Sequence, residues 1–518
     1  MTFSKAWVRR TLALACGAAA ALAHPPFGFL PGLLGYGLLM RLIDRVEGPR
    51  PLRSAFLAGW LAGAAYFAVG VWWVAEAFMV DAARQGWMAP FAVVLLSGGL
   101  ALFWGAAAAL YGRLTRGSAS LRRALIFAGC FAALEWTRGH ILTGFPWNLP
   151  GESYRAGSAL SQGVALMGAY GLTWLTLAVF SGLTLVREGR RGLIAAGAAA
   201  LTLAALWGYG AQRLHGAAAP APDALVVRIV QPDVPQSAKY DTAMFTDIVG
   251  RYTRLTPSPG RPADIVIWPE GAIPAALDDY LSPAAWPRAQ IAAAMSQGQI
   301  LLVGGYRQEK GKYYNSLVAL RGPELSVQGL YDKHRLVPFG EYLPLEPLWM
   351  GVKQMVAVGD GFSSGPPPRP ILIGQGQIRV QPLICYESLF PGFVSRSADI
   401  SGVRAALIVN VSNDAWFGRT SGPLQHLNLA SYRAIEAGLP LARATPTGVS
   451  ALVDAYGRSD SKVNLGLGRM GAIEGPLPPA LAPTPYGRWG DGLFAAFLLI
   501  SIAMAWRLDG RRGMAETA

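Results

Sequence analysis

Along the first 210 residues polar positions are sparse and grouped, and the stretches between them are almost wholly apolar. Eight apolar runs stand out, at 11–23, 27–43, 55–79, 88–112, 122–139, 159–186, 192–210 and 491–506. A run of about 18 residues or more can cross a bilayer as a helix. The pattern therefore predicts a membrane bundle of about eight transmembrane helices, seven within 1–210 and the last within 481–518, followed by a short tail. Between these ends the period changes. Leu225–Val230, Ile265–Trp268, Ile300–Val303, Ser326–Tyr331, Ile378–Ile384 and Ala406–Val411 read as strands, and 241–254, 284–297 and 424–438 as helices. The run Ala-Ala-Leu-Ile-Val-Asn-Val is apolar without alternation, as in a strand covered on both faces. Residues 211–223, rich in Ala and Pro, read as a linker, and 224–480 as a mixed α/β domain large enough for its own core.

Charge assigns a direction to the helices. Lys5, Arg9 and Arg10 precede the first run, and basic clusters follow the second (Arg41, Arg45, Arg50, Arg53), fourth (Arg113, Arg116, Arg122, Arg123), sixth (Arg187, Arg190, Arg191) and eighth (Arg507, Arg511, Arg512). The loops between carry only Arg84, Arg138 and Arg155. Basic residues concentrate in cytoplasmic loops, so both termini are expected in the cytoplasm and 211–490 on the outer face. In a bacterium this means a multi-pass inner-membrane protein with a periplasmic domain. Lys5–Arg10, an apolar stretch and Ala21-Leu22-Ala23 also fit a signal peptide with its cleavage site; a retained helix is the preferred reading, and the downstream topology is the same either way. Trp72, Trp73, Trp136 and Trp147 are expected near the outer interface; Glu135 and His140, near a helix end, read either as functional intramembrane groups or as side chains reaching interfacial water.

Composition agrees with a membrane protein: 52% of the residues are hydrophobic and 15% charged, against about 25% charged in soluble domains. The net charge of +14 lies mostly between apolar runs, with no basic stripe interleaved with aromatics, so no nucleic-acid partner is expected. Of three cysteines, Cys16 and Cys130 lie in apolar runs and Cys385 alone in the polar part, which leaves no disulfide framework.

Three polar residues follow strand-like runs. Ile265–Trp268 leads through Pro269 to Glu270, Leu330-Tyr331-Asp332 to Lys333, and Pro382-Leu383-Ile384 to Cys385. Strand ends are a usual place for catalytic groups in α/β folds. A thiol with a reference pKa near 8.5 needs a base. Glu270 can supply it, Lys333 can stabilise an oxyanion, and the set suffices for acyl transfer through Cys385. Spacing alone does not establish that the three converge. No His pair, His334 and His426 included, has metal-ligand spacing, so no metal is assigned.

The segments WPEGAIP, YDKHRLVPFGEYLP, PLICYESLFP and NVSNDAWFG resemble the signatures of the nitrilase superfamily, with its Glu-Lys-Cys triad. With HPPFGFLPG at 24–32, GWLAGAAYFAVGVWWV at 59–74 and GFPWNLPG at 144–151, the resemblance extends over almost the whole chain, to the apolipoprotein N-acyltransferases. It implies an αββα sandwich beside the membrane helices. It also implies transfer of a fatty acyl chain from the sn-1 position of a phospholipid, such as phosphatidylethanolamine, to the α-amino group of a diacylglyceryl-cysteine at a lipoprotein N-terminus. On this reading Cys385 carries a thioester, Glu270 is the base and Lys333 the oxyanion partner. Glu341 supports the triad, and Tyr386 and Glu387 flank the nucleophile. No cofactor is implied, the partners are the phospholipid donor, the diacylated apolipoprotein and the bilayer, and a monomer is expected.

Two positions depart from the resemblance. Tyr240 stands where an aromatic, often Trp, is expected, and Pro446 where Asn is common. The segment Tyr342–Met350, unusually apolar for a loop, reads either as a lid admitting lipid through Leu348 and Trp349 or as packing on the domain core; Tyr240 and Trp416 are further candidates for lipid access. The competing functions are a membrane-bound amidase or nitrilase using the same triad, which the membrane framework disfavours, and a non-catalytic lipoprotein-binding scaffold, which the intact triad disfavours.

Overall fold

The structure, a computed structural model, describes residues 2–115, 120–344, 361–374 and 378–515. It divides into two compact units, residues 1–216 with 488–518, and residues 217–487.

The first unit is helical. Among the described residues, Pro51–Gly70, Ala82–Leu114, Leu160–Leu183 and Gly189–His215 are long and apolar enough to cross a membrane, and Gly492–Trp506 is a shorter apolar helix. The remaining apolar runs are also helical, over Thr2–Ala21, Leu34–Asp44 and Ser120–Arg138. The run at 27–43 is helical mainly in its second half, because Pro25, Pro26, Gly28 and Pro31 interrupt what precedes it. The run at 55–79 breaks after Gly70 and continues as a 3₁₀ segment, Trp72–Met79. The helix Gly189–His215 carries on through 211–215, read from sequence as linker. Gln212, Arg213 and Leu214 are good helix formers.

Burial revises three interfacial expectations. Trp73 and Trp147 are buried against each other, ring centroids 4.5 Å apart, while Trp72 and Trp136 are exposed. Glu135 does not reach water: it is buried, accepts from the Trp104 indole N–H at 2.6 Å and pairs with Arg138. Arg138, counted above as a loop residue, is the last residue of its helix and donates to the Phe145 carbonyl. A charge buried among apolar helices persists only with such a partner.

The second unit is a four-layer sandwich. One sheet has the order β12-β1-β2-β3-β4-β5 and the other β11-β10-β9-β8-β7-β6. The first comprises β1 (Val226–Gln231), β2 (Ile265–Trp268), β3 (Ile300–Glu309), β4 (Lys312–Arg321), β5 (Ser326–Asp332) and β12 (Gly471–Pro476); the second comprises β6 (Ile371–Ile373), β7 (Ile378–Ile384), β8 (Leu407–Val411), β9 (Leu441–Ala444), β10 (Ser450–Val453) and β11 (Ser459–Leu465). Strands β1-β2-β3 and β7-β8-β9 are parallel. Ile265, Ile267 and Leu302 point into a core shared with Ile384, Val409 and Val411 of the other sheet. Their neighbours Val266, Trp268 and Leu301 pack outward on the helices Phe245–Leu255 and Trp286–Ala294. A strand covered on both faces has no polar alternation to lose, which explains the unbroken apolar runs. The helices Phe393–Ser401 and Ser421–Ala437 belong to the other outer layer. Parallel strands in both sheets bring several strand C-termini to one end, where Glu270, Lys333 and Cys385 lie.

Candidate active site

Glu270 follows β2 and is almost fully buried. Its Oε2 accepts the main-chain N–H of Asn413 at 2.6 Å, and its Oε1 accepts the Asn315 amide at 2.7 Å. β3 passes so close that a Cβ on Gly304 would lie 2.7 Å from the Glu270 Cα, so glycine is required there. Lys333 follows β5 and is 1% exposed. Its Nζ lies 2.8 Å from Glu341 Oε1 and 3.7 Å from Glu270 Oε1. Asn315 also donates to Glu341 at 2.9 Å, and the Val337 N–H anchors the other Glu341 oxygen at 2.8 Å. One ammonium thus faces two carboxylates. Burial pulls the Lys333 ammonium down, but Glu341, Glu270 and Cys385 together outweigh it and hold the group well above the usual lysine range.

Cys385 opens the turn that leaves β7 for a 3₁₀ segment, Cys385–Leu389, with φ of 50°. A non-glycine residue in the left-handed region is strained, and such strain gathers at functional positions. Its side chain keeps a partly open face. Burial pushes the thiol well above its ordinary value and Glu270 adds to that, while Lys333 and the neighbouring Ser412 hydroxyl oppose it. The resting sulfur is therefore a thiol, and a base is needed to make it a nucleophile.

Glu387 braces the turn. One oxygen accepts the Ile384 N–H at 2.8 Å; the other accepts the Tyr331 hydroxyl at 2.7 Å and the N–H groups of His334 at 2.8 Å and Arg335 at 3.2 Å. It ties the Cys385 turn to the segment carrying Lys333. Burial raises its carboxyl pKa, against the opposing pull of the Ile384 N–H, the Tyr331 hydroxyl, Lys333 and the Arg335 N–H. Glu387→Gln should set an amide N–H against at least one buried donor, a conflict of about 1–3 kcal/mol. We expect turnover to fall by about 10- to 100-fold through a displaced Cys385, with a lower thermal transition; wild-type turnover and melting in detergent would contradict this bracing role.

Tyr386 is buried, edge-on to Phe390 at 5.1 Å. Tyr240 is 67% exposed and accepts from the Gln236 amide at 3.3 Å. Trp416 lies partly buried in the 3₁₀ turn Asp414–Phe417. Leu348 and Trp349 lie outside the described residues. Among the described residues no group of three or more His, Cys, Asp or Glu side chains could hold a metal.

Sequence reading overlooked Asn315 and Asn413, which orient Glu270: Asn315 follows no strand-like run, and Asn413, though it follows Ala406–Val411, reaches Glu270 through its main-chain N–H, which no side-chain pattern marks. It also overlooked Lys239, in the 3₁₀ segment Gln236–Tyr240. The Lys239 Nζ donates to the Gly271 carbonyl at 2.7 Å. Burial draws its pKa down to about 8 against the pull of Glu270.

Comparison with known proteins follows the two units. Residues 16–182 match the family described as Apolipoprotein N-acyltransferase N-terminal domain, and residues 227–461 match Carbon-nitrogen hydrolase. The apolipoprotein N-acyltransferase of Caulobacter vibrioides is 55% identical over 97% of this chain and 95% of its own length. That of Brucella melitensis biotype 1 is 39% identical over 98% and 97%. A solved CN-hydrolase superfamily protein from Xanthomonas campestris, 16% identical, covers 53% of this chain and 96% of its own at a TM-score of 0.35. With apolar helices in one unit, a carbon–nitrogen hydrolase sandwich in the other and such identity along nearly its full length, this chain belongs to the apolipoprotein N-acyltransferase family.

Proposed function

We propose that this enzyme moves an acyl chain from the sn-1 position of a phospholipid, such as phosphatidylethanolamine, to the α-amino group of an S-diacylglyceryl-cysteine at an apolipoprotein N-terminus, through a thioester on Cys385. The observation that carries the reading is the meeting of Glu270 and Lys333, 3.7 Å apart, at the strand ends where Cys385 also lies; Glu270 raises the Cys385 thiol pKa and Lys333 lowers it. Glu270 takes the thiol proton and the sulfur attacks the ester carbonyl. The ammonium of Lys333 faces the oxyanion, and Glu341 and Asn315 hold that ammonium in place. Collapse expels the lysophospholipid alkoxide, which regains the proton from Glu270. The amine then attacks the thioester, gives its proton to Glu270 and releases the thiolate, which is protonated to restore the thiol. A covalent intermediate lets two bulky lipid substrates use one site in turn.

The basic-loop pattern supports an inner-membrane protein with cytoplasmic termini and a periplasmic catalytic unit; a monomer is proposed as the working unit. Tyr240, Trp416, Leu348 and Trp349 are proposed to line the lipid's approach, and Tyr386 to flank the sulfur. The test is incubation of the purified chain with phosphatidylethanolamine labelled at sn-1. A hydroxylamine-labile label should appear on the Cys385 peptide and pass to a synthetic diacylglyceryl-cysteinyl peptide. Absence of the adduct, with ammonia released from amide substrates, would establish the hydrolase instead.

A further inference from the structure

Behind Cys385 lies a buried polar cluster that the steps above do not use. Asp414 Oδ2 accepts from Arg443 at 2.6 Å, and its Oδ1 lies 2.9 Å from His426 Nδ1. The other imidazole nitrogen faces the Ser388 hydroxyl at 2.9 Å and the Cys385 carbonyl at 3.3 Å. Ser412, Asp414, His426 and Arg443 are each at most 1% exposed. With Ser388 this is the geometry of a Ser-His-Asp triad, yet it is sealed, so it acts on no substrate. Nor does stability account for it, since buried ionic clusters are often no more stabilising than apolar residues of similar volume.

Ser412 links the cluster to the sulfur. β7 and β8 pair Ile384 with Val411, so Cys385 and Ser412 are the next residues of two adjacent parallel strands. The Ser412 N–H is fixed on the Ala444 carbonyl at 3.0 Å. Its hydroxyl proton goes to Asp414 Oδ1 at 2.8 Å, with His426 Nδ1 at 3.5 Å, and the register of β7 and β8 sets Ser412 beside Cys385, whose thiol pKa its hydroxyl lowers. Asp414 already receives Arg443 on one oxygen and His426 on the other. The Ser412 proton can leave it without stranding a buried acceptor.

We propose that Ser412 is a further catalytic residue of this site, its hydroxyl turning from Asp414 to the Cys385 sulfur whenever that sulfur is a thiolate, with Asp414, His426 and Arg443 as the positioning residues that free it to turn. The Ser412 proton is shared and never transferred; Glu270 still takes the thiol proton. The thiolate arises twice per cycle, as attacking and as leaving group, so both half-reactions gain. Burial raises the Asp414 carboxyl, but Arg443 and His426 outweigh it and hold the group well below the usual carboxylate range. It therefore does not compete for the thiol proton.

The proposal rests on Cys385 being the nucleophile, and the test separates the two. In full-length detergent-solubilised protein, Ser412→Ala should slow alkylation of Cys385 by iodoacetamide about tenfold across the profile at and above neutral pH, and slow single-turnover acylation by labelled phosphatidylethanolamine by about 10- to 100-fold. KM for the lipid should stay within about twofold, and Ser412→Thr should recover most of the rate. If wild type forms no thioester, the acyl-transfer reading fails, whatever the alkylation profile shows. If wild type forms the thioester and Ser412→Ala shares its profile and rate, or loses only in KM, the Ser412 proposal alone is overturned. Ser412→Gly deletes the same hydroxyl without added bulk and is read identically; failure of both variants to fold would make the hydroxyl structural and likewise overturn it.

Discussion

Cys385→Ala should abolish acyl loading, leaving no hydroxylamine-labile label and transfer reduced by about 10⁵-fold or more. Without the sulfur the lipoprotein amine would have to attack the phospholipid ester directly, so both lipid substrates would have to occupy one site at once. The two-step route exists to avoid that. The fold should be little affected. Cys385 sits at φ of 50°, and alanine brings the same Cβ to that strained position, so the penalty is common to both. The thermal transition should stay within a few degrees of wild type. Transfer by a folded Cys385→Ala protein above about 1% of the wild-type rate would remove the thioester from the pathway.

Glu270→Gln should lower acylation by about 10³-fold, within the range for loss of a positioned general base. The amide cannot take the thiol proton, and it also disturbs its own surroundings. One Glu270 oxygen accepts from Asn413 N–H and the other from the Asn315 amide, so whichever way the Gln amide turns, its N–H group meets a buried donor. The pH profile separates the two effects. Because burial holds the Cys385 thiol above its ordinary value, the variant's residual rate should climb about tenfold per pH unit through neutrality, as hydroxide replaces the missing base. Wild type should be much flatter. A variant with the wild-type profile, merely scaled down, would show that Glu270 positions groups and takes no proton.

Local composition announced much of the architecture. The strand runs Ile265–Trp268 and Ile378–Ile384 coincide with β2 and β7, because the first is apolar throughout and the second alternates Ile378, Arg379, Val380 and Gln381 before its apolar Leu383-Ile384 end. β4 was missed although Leu317–Leu320 is apolar, because Lys312, Asn315 and Ser316 break the pattern of its first half, and because it returns from β3 through Lys310-Gly311 at positive φ, a pair less recognisable than Asn-Gly. β9 was missed for another reason. Leu441-Ala442-Arg443-Ala444 carries a charge in a wholly buried strand, a pattern that makes sense only once Asp414 is seen opposite Arg443.

Membrane character, the mixed α/β unit and the three strand-end groups are written in consecutive residues, because burial pattern, turn chemistry and helix length are local properties. The partners of those groups are not. Asn315 reaches Glu270 because β2, β3, β4 and β5 lie in that order, and Ser412 reaches Cys385 because β7 and β8 are parallel neighbours. Strand order and register arise from which apolar faces cover one another across a hundred residues and more. Cys385 could thus be named as the nucleophile from its neighbours in the chain. The raised pKa of its thiol, the base held against it and the hydroxyl behind it come from packing, which brings distant charges within a few ångströms in a medium too dry to screen them.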